Sequence, residues 1–157
     1  MRGALRIVAS GDLVLDEPGP ERFLSGIAPA TRAADLAIGH VEVPHTRRGA
    51  ELAGDVPAHP ADPAHLGAIA DAGFGVATLA GNHVADRGAE GIEDTVGGLR
   101  ALGVATCGAG TDLDAARAPA LVERAGWRIA VLSYNCVGPE ACWATPTRAG
   151  CAYVRVE

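Results

Sequence analysis

The sequence predicts an α/β fold, a mainly parallel sheet covered by helices. Short β-forming runs alternate with helical periodicities through the first two-thirds of the chain. Gly or a polar residue closes most of these runs, and no shift in composition divides the chain into two units. That order of elements is the signature of strands joined by helical crossovers.

Residues 5–9 are a short apolar run that meets Gly11-Asp12, which predicts a first strand. Between 20 and 27, Phe23, Leu24 and Ile27 fall on one helical face. Residues 36–38 predict a second strand, closed by Gly39. The stretch 44–63 carries Pro44, Pro57, Pro60 and Pro63 and reads as an irregular excursion. Asp62-Pro63 then starts a helix, with Asp as N-cap and Pro at the first position, and Gly73 ends it. Residues 76–80 predict a third strand, followed by the loop 81–88. A helix over 89–102 is marked by Ile92, Val96, Leu99 and Leu102 at helical spacing and stopped by Gly103. Residues 104–106 predict a fourth strand. Thr111, with Asp114 three residues on, predicts the cap of a short helix. Residues 121–124 and 127–134 predict a hairpin turned at Ala125-Gly126 that extends the sheet. The rest is loop, ending in a strand at 152–156.

With 157 residues, 48% apolar and 20% charged, the chain has material for one core; aromatics at 4% leave that core to Ala, Val, Leu and Ile. The net charge of −6, without any basic block, argues against a nucleic-acid partner, which requires a positive stripe. Every basic residue is Arg. No segment is long and apolar enough to span a bilayer. Arg6 interrupts the N-terminal apolar run, which reads as a strand rather than a signal peptide, so the expected location is cytoplasmic. Cys107, Cys136, Cys142 and Cys151 form no CxxC pair and are expected to be reduced, structural thiols.

In open α/β sheets ligands bind beyond the carboxyl ends of the strands. The first predicted strand delivers Asp12, the second His40 and Glu42, the third Asn82 and His83. Each alone has a structural use, as a cap, a solvated edge or a hydrogen-bonded loop residue. Together at successive strand ends they suit a divalent cation. Oxygen donors favour calcium, magnesium or manganese, and imidazole adds zinc or iron. A cation also relieves the repulsion between two carboxylates. Asp16, Glu17, His45, His59 and His65 lack that placement and are expected to be surface or loop residues.

The same residues carry a resemblance. The run Ala34-Asp-Leu-Ala-Ile-Gly-His-Val-Glu42 resembles the CapA-family stretch ADLVIANLE, and Leu79-Ala-Gly-Asn-His-Val-Ala-Asp-Arg-Gly88 resembles LANNHALDYG. Gly91-Ile92 and Thr95 follow as in that family, as do Gly108-Ala-Gly110, Ala115-Ala116 and Pro119. The CapA family, of capsule and poly-γ-glutamate synthesis proteins, is similar to calcineurin-like metallophosphoesterases. The resemblance implies an αββα sandwich, of which residues 1–157 would be one domain lacking the family's C-terminal part. It implies that Asp12 stands for the first-motif aspartate, Glu42 for the second-motif carboxylate, and Asn82 and His83 for the Asn-His of the GNH motif. The metal ligands would then be Asp12, Glu42, Asn82 and His83, with Asp12 and His83 catalytic. Three departures qualify it: Val14 stands where phosphoesterases place a His, His40-Val41-Glu42 replaces a bridging Asp, and the later His motifs do not follow.

Two-metal phosphoryl transfer needs a bridging ligand, so the sequence favours a single divalent ion, calcium, magnesium, manganese or zinc. The leading expectation is acid/base chemistry at a peptide Cα on a peptide or polyglutamyl substrate, as in epimerases that tailor ribosomal peptides such as lasso peptides. The alternatives are a metal-dependent phosphoesterase and a non-catalytic piece of a capsule or poly-γ-glutamate synthesis complex. In the last case a homo-oligomer or a missing C-terminal segment would complete the sandwich.

Overall fold

Four short strands set the frame: β1 (Ile7–Leu13), β2 (Leu36–Val41), β3 (Val76–Thr78) and β4 (Ala105–Cys107). In the computed structural model, which describes residues 3–53 and 56–155, they lie side by side in that order and all run parallel. Parallel neighbours require crossovers, and the helices supply them. These are α1 (Glu21–Leu24), α2 (Ala28–Arg32), α3 (Leu66–Asp71) and α4 (Gly88–Ala101). Their buried residues Leu24, Ala28, Leu66, Ile69, Ile92 and Leu99 join Ala37, Val41 and Ala77 of the sheet in one apolar cluster. The helices therefore share one face of the sheet, as uniformly right-handed crossovers demand.

The opposite face is covered differently from the sequence expectation. β6 (Ala120–Arg124) and β7 (Trp127–Val131) form the expected antiparallel hairpin, turned at Ala125 and Gly126, both left-handed with φ 49 and 77. The hairpin does not extend the sheet. It forms a separate two-stranded sheet, and Ala120, Val122, Ile129 and Val131 pack on Leu36, Ile38, Val76 and Ala105. Alternation along the hairpin sends these side chains inward and leaves Leu121 and Leu132 exposed on the far side. The result is helices, sheet and second sheet, three layers of the expected sandwich.

Smaller expectations shift for local reasons. Asp62 caps as predicted, accepting from the Ala64 amide, but the first turn, Pro63–His65, is a 3₁₀ helix before α3 begins. The cap of α5 (Leu113–Arg117) is Asp112 and not Thr111: its carboxylate accepts from the Ala115 amide at 2.8 Å. A carboxylate outranks a hydroxyl at that position because it also meets the helix dipole. The last strand expected at 152–156 falls instead at β8 (Gly150–Cys151), paired with β5 (Ala109–Gly110); Val156 lies outside the described residues. No helix among the described residues is long and apolar enough to cross a membrane.

The proline-rich excursion is anchored rather than loose. Its residue His45, expected to be a surface or loop residue, lies outside any helix or strand but is fully buried. The His45 amide donates to Thr95 Oγ1 of α4 at 2.8 Å, and Nδ1 donates to the Val43 carbonyl at 3.1 Å. Nε2 is buried with no hydrogen-bond partner, so the neutral ring is the form that fits. Burial pushes the His45 pKa down from 6.5 to about 4. A histidine depressed in the folded state stabilises the fold fully above its unfolded pKa and loses that contribution as pH falls toward the folded value. Between pH 7 and 5 His45 should cost about 2 kcal/mol of stability. Urea titration at both pH values should show this extra loss in the wild-type chain and not in His45→Gln.

Candidate metal centre

The sheet register assembles the site. Asp12 on β1 pairs with His40 on β2, and His40 pairs with Thr78 on β3. In a parallel sheet such partners share a face, so three polar side chains form a row across the strand ends. Glu42 lies two residues beyond His40 and returns to the same side. Asp12 reaches that row through a bulge. Between the pairs Ala9↔Ile38 and Asp12↔His40, β1 advances three residues while β2 advances two. A regular ladder would set Gly11 opposite His40 and turn Asp12 toward the helices. The extra residue re-aims it.

Asp12, His40 and Glu42 each offer a ligand atom, and these atoms lie within 4.8 Å of one another. Among the described residues no other group of three such side chains meets that condition. His40 Nε2 is 2.8 Å from Glu42 Oε2, and Nδ1 is 3.0 Å from Thr78 Oγ1. The Thr78 hydroxyl donates to the Gly39 carbonyl at 3.4 Å, so its oxygen accepts from His40 Nδ1. That leaves Nε2 as the ring atom turned to the site, as a hydrogen bond on the far ring nitrogen does for metal-binding imidazoles. The His40 hydrogen bond holds the Glu42 carboxyl below the usual carboxylate range against the opposing effect of burial, and the charges of His40 and His83 act the same way. Glu42 is therefore an anion at neutral pH, ready as a ligand.

Gly81 forms the floor. A Cβ there would stand 2.7 Å from Glu42 Oε2 and 2.9 Å from His40 Nε2. The backbone approaches the donors closely because no side chain intervenes. The donor set of two carboxylates and one imidazole, tight spacing and bare floor fit a divalent cation.

Of the four ligands expected from sequence, the structure gathers Asp12 and Glu42, and adds His40. His83 stands outside that close set, two residues past Gly81, with Asn82 between them. His83 Nδ1 is 2.7 Å from Asp86 Oδ2. Asp86 is fully buried and also accepts from the Ala58 amide at 2.6 Å. It thus ties the proline-rich excursion to the His83 loop. Sequence reasoning missed Asp86 and Thr78. Asp86 could have been suspected as an acid three residues after His83, just before a helix; Thr78 is found only once the register is known. Of the remaining histidines, His65 is partly buried and bonded to the Leu15 carbonyl, and His59 is exposed; neither belongs to the close donor set.

A single cation per chain is the expected stoichiometry. Titration calorimetry with manganese should show Asp12→Asn and Glu42→Gln weakening binding at least about tenfold, and Thr78→Val about 10- to 100-fold through the ring it orients. Asp16→Asn should leave the affinity unchanged.

Comparison with known proteins follows the same lines. The family of bacterial capsule synthesis proteins, PGA_cap, matches residues 6–154. Two proteins of Mycobacterium tuberculosis strains, each called "Probable polyglutamine synthesis accessory protein", are 51% identical over 47 residues, 30% of this chain. The matched segment is only 12% of those relatives' own length. With a metal-compatible centre on an α/β frame and a family match over nearly its whole length, this chain belongs to the bacterial capsule synthesis protein family PGA_cap.

Proposed function

We propose that this chain is a single-cation enzyme that moves a proton at the Cα of a peptide or polyglutamyl substrate, an epimerase-type reaction. The observation that carries this reading is the juxtaposition of one compact donor set with a separate imidazole–carboxylate pair, His83–Asp86. A cation held by Asp12, His40 and Glu42 would polarise an amide carbonyl and make the adjacent Cα–H more acidic. Asn82, next in sequence to the Gly81 floor, would complete the ligand set.

His83 is the proton acceptor. Its Nδ1 donates to Asp86, which fixes the tautomer, leaves Nε2 as the base and stabilises the imidazolium that forms. Asp12, the most exposed of the three donors, is the second acid/base group. Beside Asp12 lies an open depression of about 380 Å³ lined by Val14, Phe23, Leu24 and Ile27. Its apolar wall suits the aliphatic part of a peptide chain, and the polyglutamine-related name of the Mycobacterium tuberculosis relatives accords with a polyamide substrate.

The donor set favours this reading over phosphoester hydrolysis. Two-metal hydrolysis needs a bridging carboxylate between two ions, and the described residues hold one cluster. The test is exchange in heavy water. Candidate peptides and oligoglutamates incubated with the manganese-loaded chain should take up deuterium at one Cα. Chelation should abolish uptake. His83→Gln should reduce it at least about 100-fold while leaving manganese affinity within about threefold. No exchange under any metal, with chelator-sensitive turnover of an aryl phosphate, would replace this reading by the hydrolase.

A further inference from the structure

Away from the metal centre, two cysteines meet inside the core. Cys142 ends a 3₁₀ turn, Glu140–Cys142, and Cys151 lies on β8. Both are fully buried, and their Sγ atoms are 3.7 Å apart. Backbone pairing holds them there: the Ala144 amide donates to the Cys151 carbonyl at 2.9 Å, and Trp143 and Cys151 form a parallel bridge. Flanking this pair, Trp143 and Tyr153 stack with ring centroids 4.3 Å apart. Cys107 belongs to the apolar cluster on the opposite sheet face, and Cys136 is exposed.

We propose that Cys142 and Cys151 are a disulfide-forming pair, a redox-dependent clamp that covalently closes the 142–151 loop onto β8. Two arguments favour this over a thiolate metal site. The sulfurs, 3.7 Å apart, have to close to the about 2 Å of an S–S bond, and the backbone already brings the two segments side by side. A zinc site needs four ligands, and no third Cys, His, Asp or Glu among the described residues joins the pair.

The oxidant is an external low-molecular-weight disulfide. One thiol loses its proton and attacks that disulfide, forming a mixed disulfide and releasing one thiol. The second cysteine, also deprotonated, attacks the mixed disulfide, closing the Cys142–Cys151 bond and releasing the second thiol. The chain loses two protons and two electrons, and the oxidant becomes two thiols. The Cys151 pKa is pushed up, first by the hydrogen bond with Cys142 and then by burial. Exchange in the folded chain is consequently slow and proceeds through local opening. Once closed, the bond is shielded by the same burial. In reducing surroundings the pair stays a packed dithiol.

Equilibrium distinguishes the outcomes. The full chain is unfolded in urea, refolded through glutathione buffers of graded redox ratio, and blocked with a maleimide. Trypsin combined with a glutamyl endopeptidase cuts at Arg128, Glu140, Arg148 and Arg155, which puts Cys136, Cys142 and Cys151 on separate peptides. The expected product is a linked pair of peptides 141–148 and 149–155, with maleimide on Cys107 and Cys136. Its fraction should exceed that of any link through Cys136 by at least about tenfold. Cys136→Ser should keep the link, and Cys142→Ser should abolish it. Maleimide on all four cysteines at every redox ratio, links mainly through Cys136, or stoichiometric zinc uptake lost in Cys142→Ser would each overturn the proposal.

Discussion

One extra residue in an edge strand decides whether three metal-compatible donors meet. Side chains on a strand alternate between faces, so the register of β1 against β2 determines which side Asp12 serves. The bulge between Ala9 and Asp12 places the carboxylate opposite His40 instead of among the helices. Everything else at the site builds on that row. Thr78, the next partner across the sheet, orients the His40 ring, and Glu42 closes the group from the end of β2. The sheet can supply this row because its other residues are small and apolar. Ala37, Val41 and Ala77 satisfy the helical face and leave the strand ends to polar side chains.

The two imidazoles of the site are held by different devices. His40 is fixed from behind by a neutral hydroxyl and faces a carboxylate, the setting of a ligand. His83 is fixed by a buried carboxylate, Asp86, and stands outside the close donor set. The buried Asp86 also grips the Ala58 amide, so the excursion between β2 and α3 is fastened to the loop that carries His83. His45 pins the start of the same excursion to α4. A segment that looks irregular in sequence is thus a strap held by hydrogen bonds at both ends.

Much of this was legible. Alternating apolar runs and helical periodicities gave the parallel sheet and its crossovers, and Asp12, His40 and Glu42 stood at strand ends because each lies within four residues of the end of an apolar run. The Asp62-Pro63 start and the Ala125-Gly126 turn were readable from local chemistry. What escaped was non-local. The bulge depends on how two strands align, the role of Thr78 depends on a neighbour far off in the chain, and the stacking of the hairpin depends on which face the helices leave open. His45 misled because proline-rich composition signals a loop but says nothing of burial. Cys142 and Cys151 are reduced thiols, as expected, but their proximity arises from the pairing of Ala144 and Trp143 with Cys151, which spacing along the chain does not encode.

The dependence of the donor row on strand alignment runs in both directions. A slip of β1 by one position would disperse the three donors, so an ion that needed all three would bind only the correctly threaded edge. By mass action such an ion would act as a proofreader of the sheet: its binding energy would be added to the native alignment and withheld from every competitor. An edge strand this exposed, with Ile7 and Asp12 open to solvent, is otherwise the part of the sheet freest to misalign.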